Sequence, residues 1–316
     1  MPGWLCRRFS MQKNIFEKKK IRNQIPYFVM AAVPLAYFLI FKYWPMFGLT
    51  IAFQDYKLGA PFVSAKSKWV GLKWFKLMVN SPFFPRLVRN TLLLSLMDLT
   101  ISFPLSILMA VLLNEIRNKK LRKFTSNISL LPHFISTAVI VGIMFNFFSV
   151  DGGLVNAVIT KLGGKSIDFM ASNSWFRTMY TGSGIWQNLG FNAVVFTAAI
   201  SGIDPNLYEA ADIDGSTRFK NIFYITIPCI LPTIIIMLIL RIGSIMSVGY
   251  EKIILMYTPS IYETADTLST YSYRAAFQDG KTSFAAAIGM FDSVVNLILV
   301  VAANKLSKKV SDTALW

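Results

Sequence analysis

Apolar residues in this chain gather into six long runs, at roughly Pro26–Phe47, Val88–Leu113, Ile128–Phe148, Trp175–Ile200, Ile227–Val248 and Ser283–Ala303. Each has the length of about 20 residues that a helix rising 1.5 Å per residue needs to cross a hydrocarbon core. Lipid offers no partner to a backbone N–H or C=O, so each segment must satisfy its own. The alternation of a membrane barrel is absent, and the runs therefore predict helices. The expected fold is an all-α membrane protein: a bundle of about six transmembrane helices over 26–303, between a basic tail at 1–25 and a second tail at 304–316. Six spans place both termini on one side of the membrane.

The charged residues between the runs give an orientation. One side receives Arg7, Arg8, Lys13, Lys18, Lys19, Lys20 and Arg22, then Arg117, Lys119, Lys120, Arg122 and Lys123, then the 204–226 loop, and finally Lys305, Lys308 and Lys309. Cationic loops stay in the cytoplasm, so that side is expected to be cytoplasmic. The loop after the first run, about 40 residues long, opposes this with Lys57, Lys66, Lys68, Lys73, Lys76 and Arg86, but charge in long loops orients weakly. Those outer cations form either a solvated face or an attraction for an anionic substrate or acidic partner. The basic tail before the first run resembles the start of a signal peptide. The run is long and lacks a small-residue cleavage site, which predicts an uncleaved anchor.

Composition narrows the class. Of 316 residues 54% are hydrophobic and 15% charged, against about 25% charged in soluble domains. A net charge of +16 invites a nucleic-acid reading, but the cations sit between apolar runs rather than in a stripe with aromatics, and nucleic acid is excluded as a partner. Cys6 and Cys229 make no disulfide framework. His133, the single histidine, leaves little for a metal site or His-based catalysis. Neither catalytic residues nor a metal site is expected.

Within the runs, Asp98, Arg241 and Asp292 oppose insertion by about 2.5–3.5 kcal/mol each near a helix centre, so they should face the bundle interior, water or one another. Two roles are open to them. They line a polar route for substrate together with Asn146, Gln187, Asn188, Asn192 and Asn296, or they pair as structural glue between helices.

The segment Ser201–Thr233 lies between the fourth and fifth runs. Asp204 is a good N-cap, Pro205 suits the first helical position, and Gly215 can end a helix in the left-handed conformation. A short helix over Pro205–Asp214 follows, about 15 Å long, with Leu207, Ala210, Ala211 and Asp214 along one face. Its small-residue face suits insertion into a groove of another protein.

Glu209-Ala210-Ala211, three further positions, Gly215, nine further positions and then Ile225-x-Ile227-Pro228 resemble the Glu-Ala-Ala loop of bacterial ABC-importer permeases. The family usually has Leu-Pro where this chain has Ile227-Pro228. Further stretches are similar to the maltose-type, carbohydrate-importing branch, especially permeases for oligosaccharides derived from complex polysaccharides. They are Phe41-Lys42-Tyr43-Trp44-Pro45-Met46-Phe47-Gly48, Ile51-Ala52-Phe53-Gln54-Asp55-Tyr56, Trp69-Val70-Gly71-Leu72, Asn90-Thr91-Leu92 and Ala302-Ala303-Asn304-Lys305.

The resemblance implies a multi-pass permease of the bacterial cell membrane, with a five-helix core and one N-terminal helix bracing a second permease. Two cytoplasmic ATPase subunits and an extracytoplasmic solute-binding protein would complete the assembly. Glu209, Ala210, Ala211, Asp214, Gly215 and Pro228 would couple it to an ATPase. Gln187, Asn188, Asn192, Arg241, Asp292 and Asn296 are the candidates for the substrate path. No cofactor is expected on this chain. The phosphate-cradling G-x-x-x-x-G-K-[ST] loop is missing from the sequence, so ATP and Mg would be held by the ATPase partners. The expected substrate is a sugar or oligosaccharide, and the outer lysines favour an acidic, uronate-type one. The alternative is an ion-coupled secondary transporter of a small polar solute, which would explain the intramembrane charges but not the coupling-loop pattern. A membrane enzyme finds no catalytic spacing in the sequence.

Overall fold

The computed structural model describes residues 24, 26–57, 59, 67–310 and 313–315. The basic tail expected over 1–25, apart from Gln24, together with Cys6 and Lys66 lies outside the described residues. The chain divides into two compact units, one ending at Gly71 and the other beginning at Leu72.

The first unit holds helix α1 (Pro26–Phe53) and a two-stranded antiparallel ribbon, β1 (Gln54–Asp55) and β2 (Lys68–Trp69). Phe53 stacks on Trp69 with ring centroids 5.6 Å apart, and its carbonyl accepts from Val70 N at 2.8 Å and Gly71 N at 3.1 Å. The Trp69-Val70-Gly71 motif thus closes the ribbon onto the end of α1.

The second unit is helical among its described residues. It contains α2 (Lys73–Val79), α3 (Phe84–Glu115), α4 (Lys119–Phe134), α5 (Thr137–Phe148), α6 (Leu154–Lys161), α7 (Asn173–Ser201), α8 (Pro205–Ile213), α9 (Arg218–Ile242), α10 (Tyr250–Met256), α11 (Leu268–Phe277) and α12 (Thr282–Val310). Among the described residues four helices, α1, α3, α9 and α12, are long and apolar enough to cross a membrane, and α4 with α5 forms a fifth candidate. At 29 residues α7 reaches about 43 Å, but Arg177, Gln187, Asn188 and Asn192 make it less apolar than the others.

The straight span expected over 128–148 is corrected to two arms. α4 and α5 meet at a 96° bend. Pro132 tightens the end of α4 into a 3-10 turn, and Ser136 restarts the chain as an N-cap, its hydroxyl accepting from Val139 N at 3.4 Å. The fifth run also ends early, at Ile242, where Gly243 accommodates a turn.

Three long helices carry a π-helical turn, at Leu39–Tyr43, Asp98–Ser102 and Ile222–Thr226. Each is followed two positions later by a proline, Pro45, Pro104 and Pro228 respectively. Proline lacks an N–H and its ring pushes away the carbonyl four residues back, so the preceding turn widens to i→i+5 bonding. Accordingly, Phe103 N donates to Asp98 O and Ile227 N to Ile222 O.

Packing follows the apolar runs. Phe103, Ala110, Val111, Ala193, Phe196, Ile200 and Ile230 join α3, α7 and α9 at one end of the second unit. Toward the other end Leu94, Ile140, Met144, Phe176, Ile253 and Met256 form one core, and Met78, Leu87, Met246, Leu268, Phe284 and Ile288 another. Gly190 lets α4 approach α7 closely. A Cβ there would come within 2.2 Å of Ser129 O, a distance real contacts never reach.

Candidate functional site

Three regions carry the polar chemistry of the second unit. The first is the short helix α8 with the chain on either side of it. Asp204 caps it, its carboxylate accepting from Asn206 N at 3.0 Å, and Pro205 fills the first helical position. Gly215 ends the turn at φ +73°, with its N–H on Asp212 O at 3.1 Å and Ser216 N on Ala211 O at 2.9 Å. A left-handed glycine after the last turn is what the sequence predicted.

Glu209, Ala210, Asp214 and Gly215 are exposed and Ala211 is partly so, while Ile213 is 87% exposed. Two side-chain bonds fasten α8 to the start of α9. Tyr208 Oη lies 2.9 Å from Thr226 Oγ1, and Asn221 Nδ2 donates to Asp212 Oδ1 at 3.3 Å. Sequence reasoning missed these ties, because neither pair has a spacing that marks it. Pro228 stands just beyond the π turn Ile222–Thr226 and sets its geometry.

The second region is a half-open cavity of about 390 Å³ between α3, α4, α7, α9 and α10. That volume falls within the roughly 300–1,000 Å³ of small-molecule pockets. Four of the predicted path residues, Gln187, Asn188, Asn192 and Arg241, line it. They lie on the two helices whose apolar character they interrupt. Arg241 Nε meets Asp98 Oδ2 at 2.9 Å, and its Nη2 donates to Oδ1 at 3.4 Å. The ion pair joins α9 to the π turn of α3, which offsets much of the cost of holding both charges among apolar helices.

Asn188 Oδ1 lies 3.0 Å from His133 Nδ1, and the His133 ring stacks on Phe191 with centroids 3.9 Å apart. Gln187 Nε2 donates to Ile135 O at 3.2 Å, satisfying a carbonyl freed at the α4–α5 bend. The structure adds His133, Tyr180 and Lys252 to the lining. The lone His133 beside Pro132 was a usable signal, whereas Lys252 reads in sequence as an ordinary loop charge.

Asp292 and Asn296 do not reach this cavity. Asn296 ties α12 to the chain after α9: its Oδ1 accepts from Met246 N and its Nδ2 donates to Ser247 Oγ, both at 2.9 Å. Asp292 Oδ1 is buried without a hydrogen-bond partner among the described residues. Asn146 is exposed and donates to Gly142 O on its own helix.

At the far end of α7 from α8 sits a third cluster, which the sequence did not reveal. Asp266 is 2% exposed and pairs with Arg274 at 2.7 Å and Arg86 at 3.6 Å, while Tyr257 Oη donates to it at 2.5 Å and Thr270 Oγ1 at 2.8 Å. Burial, then the adjacent Asp266 carboxylate, raises the Tyr257 pKa above the ordinary phenol value. Asn90 donates to Glu263 O at 2.8 Å and Asp266 O at 3.0 Å and accepts from Arg177, and Thr91 Oγ1 accepts from Leu268 N. The Asn90-Thr91 motif therefore anchors the segment before α11 to α3.

Comparison with known proteins extends this picture. The sequence profile of the family described as "Binding-protein-dependent transport system inner membrane component" matches residues 83–312. The chain is 40% identical over 310 residues to the polygalacturonan/rhamnogalacturonan transport system permease protein YteP of Bacillus subtilis (strain 168), covering 96% of each chain. It is 42% identical over 283 residues to Protein LplB of the same organism, covering 89% of this chain and 88% of LplB. Among solved structures it resembles a chain of a bacterial alginate ABC transporter in complex with alginate pentasaccharide-bound periplasmic protein. The TM-score is 0.85 at 40% identity, over 94% of this chain and 99% of that one. On a profile match spanning most of its length and relatives matched almost end to end, the chain belongs to the family of binding-protein-dependent transport system inner membrane components.

Proposed function

We propose that this chain is the membrane-spanning permease subunit of an ATP-driven importer for oligosaccharides of the acidic, uronate-containing class. The observation that carries the reading is the end-to-end similarity, at 40% identity, to a polygalacturonan/rhamnogalacturonan permease and to a chain of an alginate importer. The half-open cavity beside α7, with amides, hydroxyls and a stacked aromatic face, suits sugar rings.

The assembly would hold a second permease, two ATPase subunits and an extracytoplasmic binding protein that delivers the sugar. ATP and Mg would be bound by the ATPases, leaving this chain to move substrate rather than to catalyse. In this reading α8 faces the cytoplasm, as do both termini. Glu209, Ala210 and Ala211 present the surface that an ATPase grips, Asp214 and Gly215 fix where α8 ends, and Pro228 shapes the turn passing motion into α9. Gln187, Asn188, Asn192 and Arg241 line the path. Asp292 and Asn296, off the cavity, support α12. The ion-coupled alternative invoked Asp98, Arg241 and Asp292; the first two pair with each other, and it gives no reason for the Glu209–Gly215 pattern of α8.

The test is ATP hydrolysis by the chain co-purified in lipid with its permease and ATPase partners, with and without a binding protein loaded with acidic or neutral oligosaccharides. Stimulation by the acidic class is expected. Hydrolysis indifferent to every sugar, or failure of any ATPase to co-purify, would overturn the proposal.

A further inference from the structure

The cavity holds a cation that the protein leaves unneutralised. Lys252 lines it at 9% exposure, and none of the ion pairs among the described residues includes it. Its Nζ donates to Tyr180 O at 3.4 Å and stands 5.3 Å from the centroid of the Tyr180 ring. Among the described residues the only carboxylate lining the cavity, Asp98, is already held by Arg241. Lys252 also occupies the first turn of α10, where unpaired backbone N–H groups disfavour a positive charge. Gly184, also in the lining, offers no side chain; a Cβ added there would lie 3.7 Å from Nζ.

Burying a lysine without a partner is unfavourable. Where such a residue faces a cavity, the missing partner is commonly the ligand. Asp98 and Arg241 cancel, so Lys252 supplies the uncompensated charge, one cation for one carboxylate. Gln187, Asn188, Asn192, Ser244 and Ser247 around it are neutral donors and acceptors suited to hydroxyls.

We infer that Lys252 is the carboxylate-recognising residue of the translocation cavity, pairing with the uronate group of an acidic oligosaccharide while the neighbouring amides take its hydroxyls. This rests on the importer reading above and assigns its acid selectivity to one side chain of the permease, separate from any selection by the binding protein.

Direct binding tests it without the binding protein. Trigalacturonate and its fully methyl-esterified form are titrated into the detergent-solubilised permease–ATPase complex carrying wild-type Lys252, Lys252→Met or Lys252→Arg. The expected result is saturable binding of the acid about tenfold tighter than the ester, the scale of one charge-assisted contact. That preference should be lost in Lys252→Met and kept in Lys252→Arg. Equal affinity of the wild type for acid and ester, no saturable binding, or a preference that survives in Lys252→Met overturns the inference. Wild-type uptake of trigalacturonate into liposomes, fed by loaded binding protein, is measured on the same preparation. Uptake together with no Lys252-dependent preference in the binding titration sinks this inference and leaves the importer reading standing, whereas no uptake sinks both.

Discussion

Tyr208 Oη and Thr226 Oγ1 lie 2.9 Å apart, fastening the short helix α8 to the π turn of the span that follows it. Thr226 is buried, so the bond sits in a water-poor seam. Such a bond contributes about 0.5–1.5 kcal/mol. Tyr208→Phe removes the hydroxyl and keeps the ring. Sugar transported per ATP hydrolysed should fall severalfold while the ATPase still co-purifies, and an unchanged ratio in liposomes would separate this contact from coupling.

Gly215 offers a graded test of the same helix. A Cβ there meets no atom within 4 Å, so the obstacle to a side chain is the backbone conformation at φ +73° alone. Gly215→Ala should cost about 1–2 kcal/mol. Proline, locked near φ −65° and lacking the N–H that bonds Asp212 O, cannot adopt this turn. Membrane insertion should survive in both variants. Substrate-stimulated ATP hydrolysis should drop modestly in the first and disappear in the second; normal stimulation in Gly215→Pro would refute the lever role of α8.

The Asp266 cluster makes a prediction about stability. Removing one member of a buried ion pair costs about 3–5 kcal/mol, because the other charge is left without compensation. Asp266→Asn strands Arg274 and weakens the hold on Arg86. Thermal unfolding in detergent should shift clearly downward, whereas Lys281→Ala, which breaks an exposed pair with Asp279, should leave Tm nearly unchanged.

Acid-sugar uptake should fall at alkaline pH. Burial lowers the Lys252 pKa from 10.5 to about 8. Lys252 is therefore charged below that value and loses its charge as pH rises through it. The other charged or titratable groups lining the cavity are Asp98, Arg241, His133 and Tyr180. With substrate below saturation, uptake of trigalacturonate should decline between pH 7.5 and 9, with a midpoint of about 8. Lys252→Arg, whose guanidinium stays charged, should flatten that limb. A limb that persists in the arginine variant would place the titration on another group.

What could be read from the sequence was what local chemistry determines. Asp204, Pro205 and Gly215 delimit α8 through their own backbone preferences, and the run Gln187, Asn188 and Asn192 stands out because an apolar helix has no other reason to carry it. The 96° bend was hidden because the apolar run 128–148 continues through it, and hydrophobicity does not report direction. The segment from α10 to α11 was hidden for a different reason: its helices are short and are held by Asp266, Asn90 and Thr91, partners more than 170 residues apart in the case of Asn90 and Asp266. Asn296 looked like a path residue because a polar side chain in a span shows its cost but not its partner, which proved to be the Met246 backbone.

The pairing of each π turn with a proline two positions on gives these spans a segmented character. A rod with an uninterrupted i→i+4 ladder transmits a push along its whole length, whereas one with a widened turn takes up part of the displacement where the ladder is interrupted. In α9 the interruption at Ile222–Thr226 stands directly after α8, and in α3 it begins at Asp98, the residue that grips Arg241 of α9. A displacement entering through α8 thus meets one joint at once, and reaches the second through a salt bridge rather than through the backbone. In the lever reading of α8, a small stroke at the surface would reshape the cavity wall by way of these two joints while the Asp266 anchorage at the opposite end stays in place.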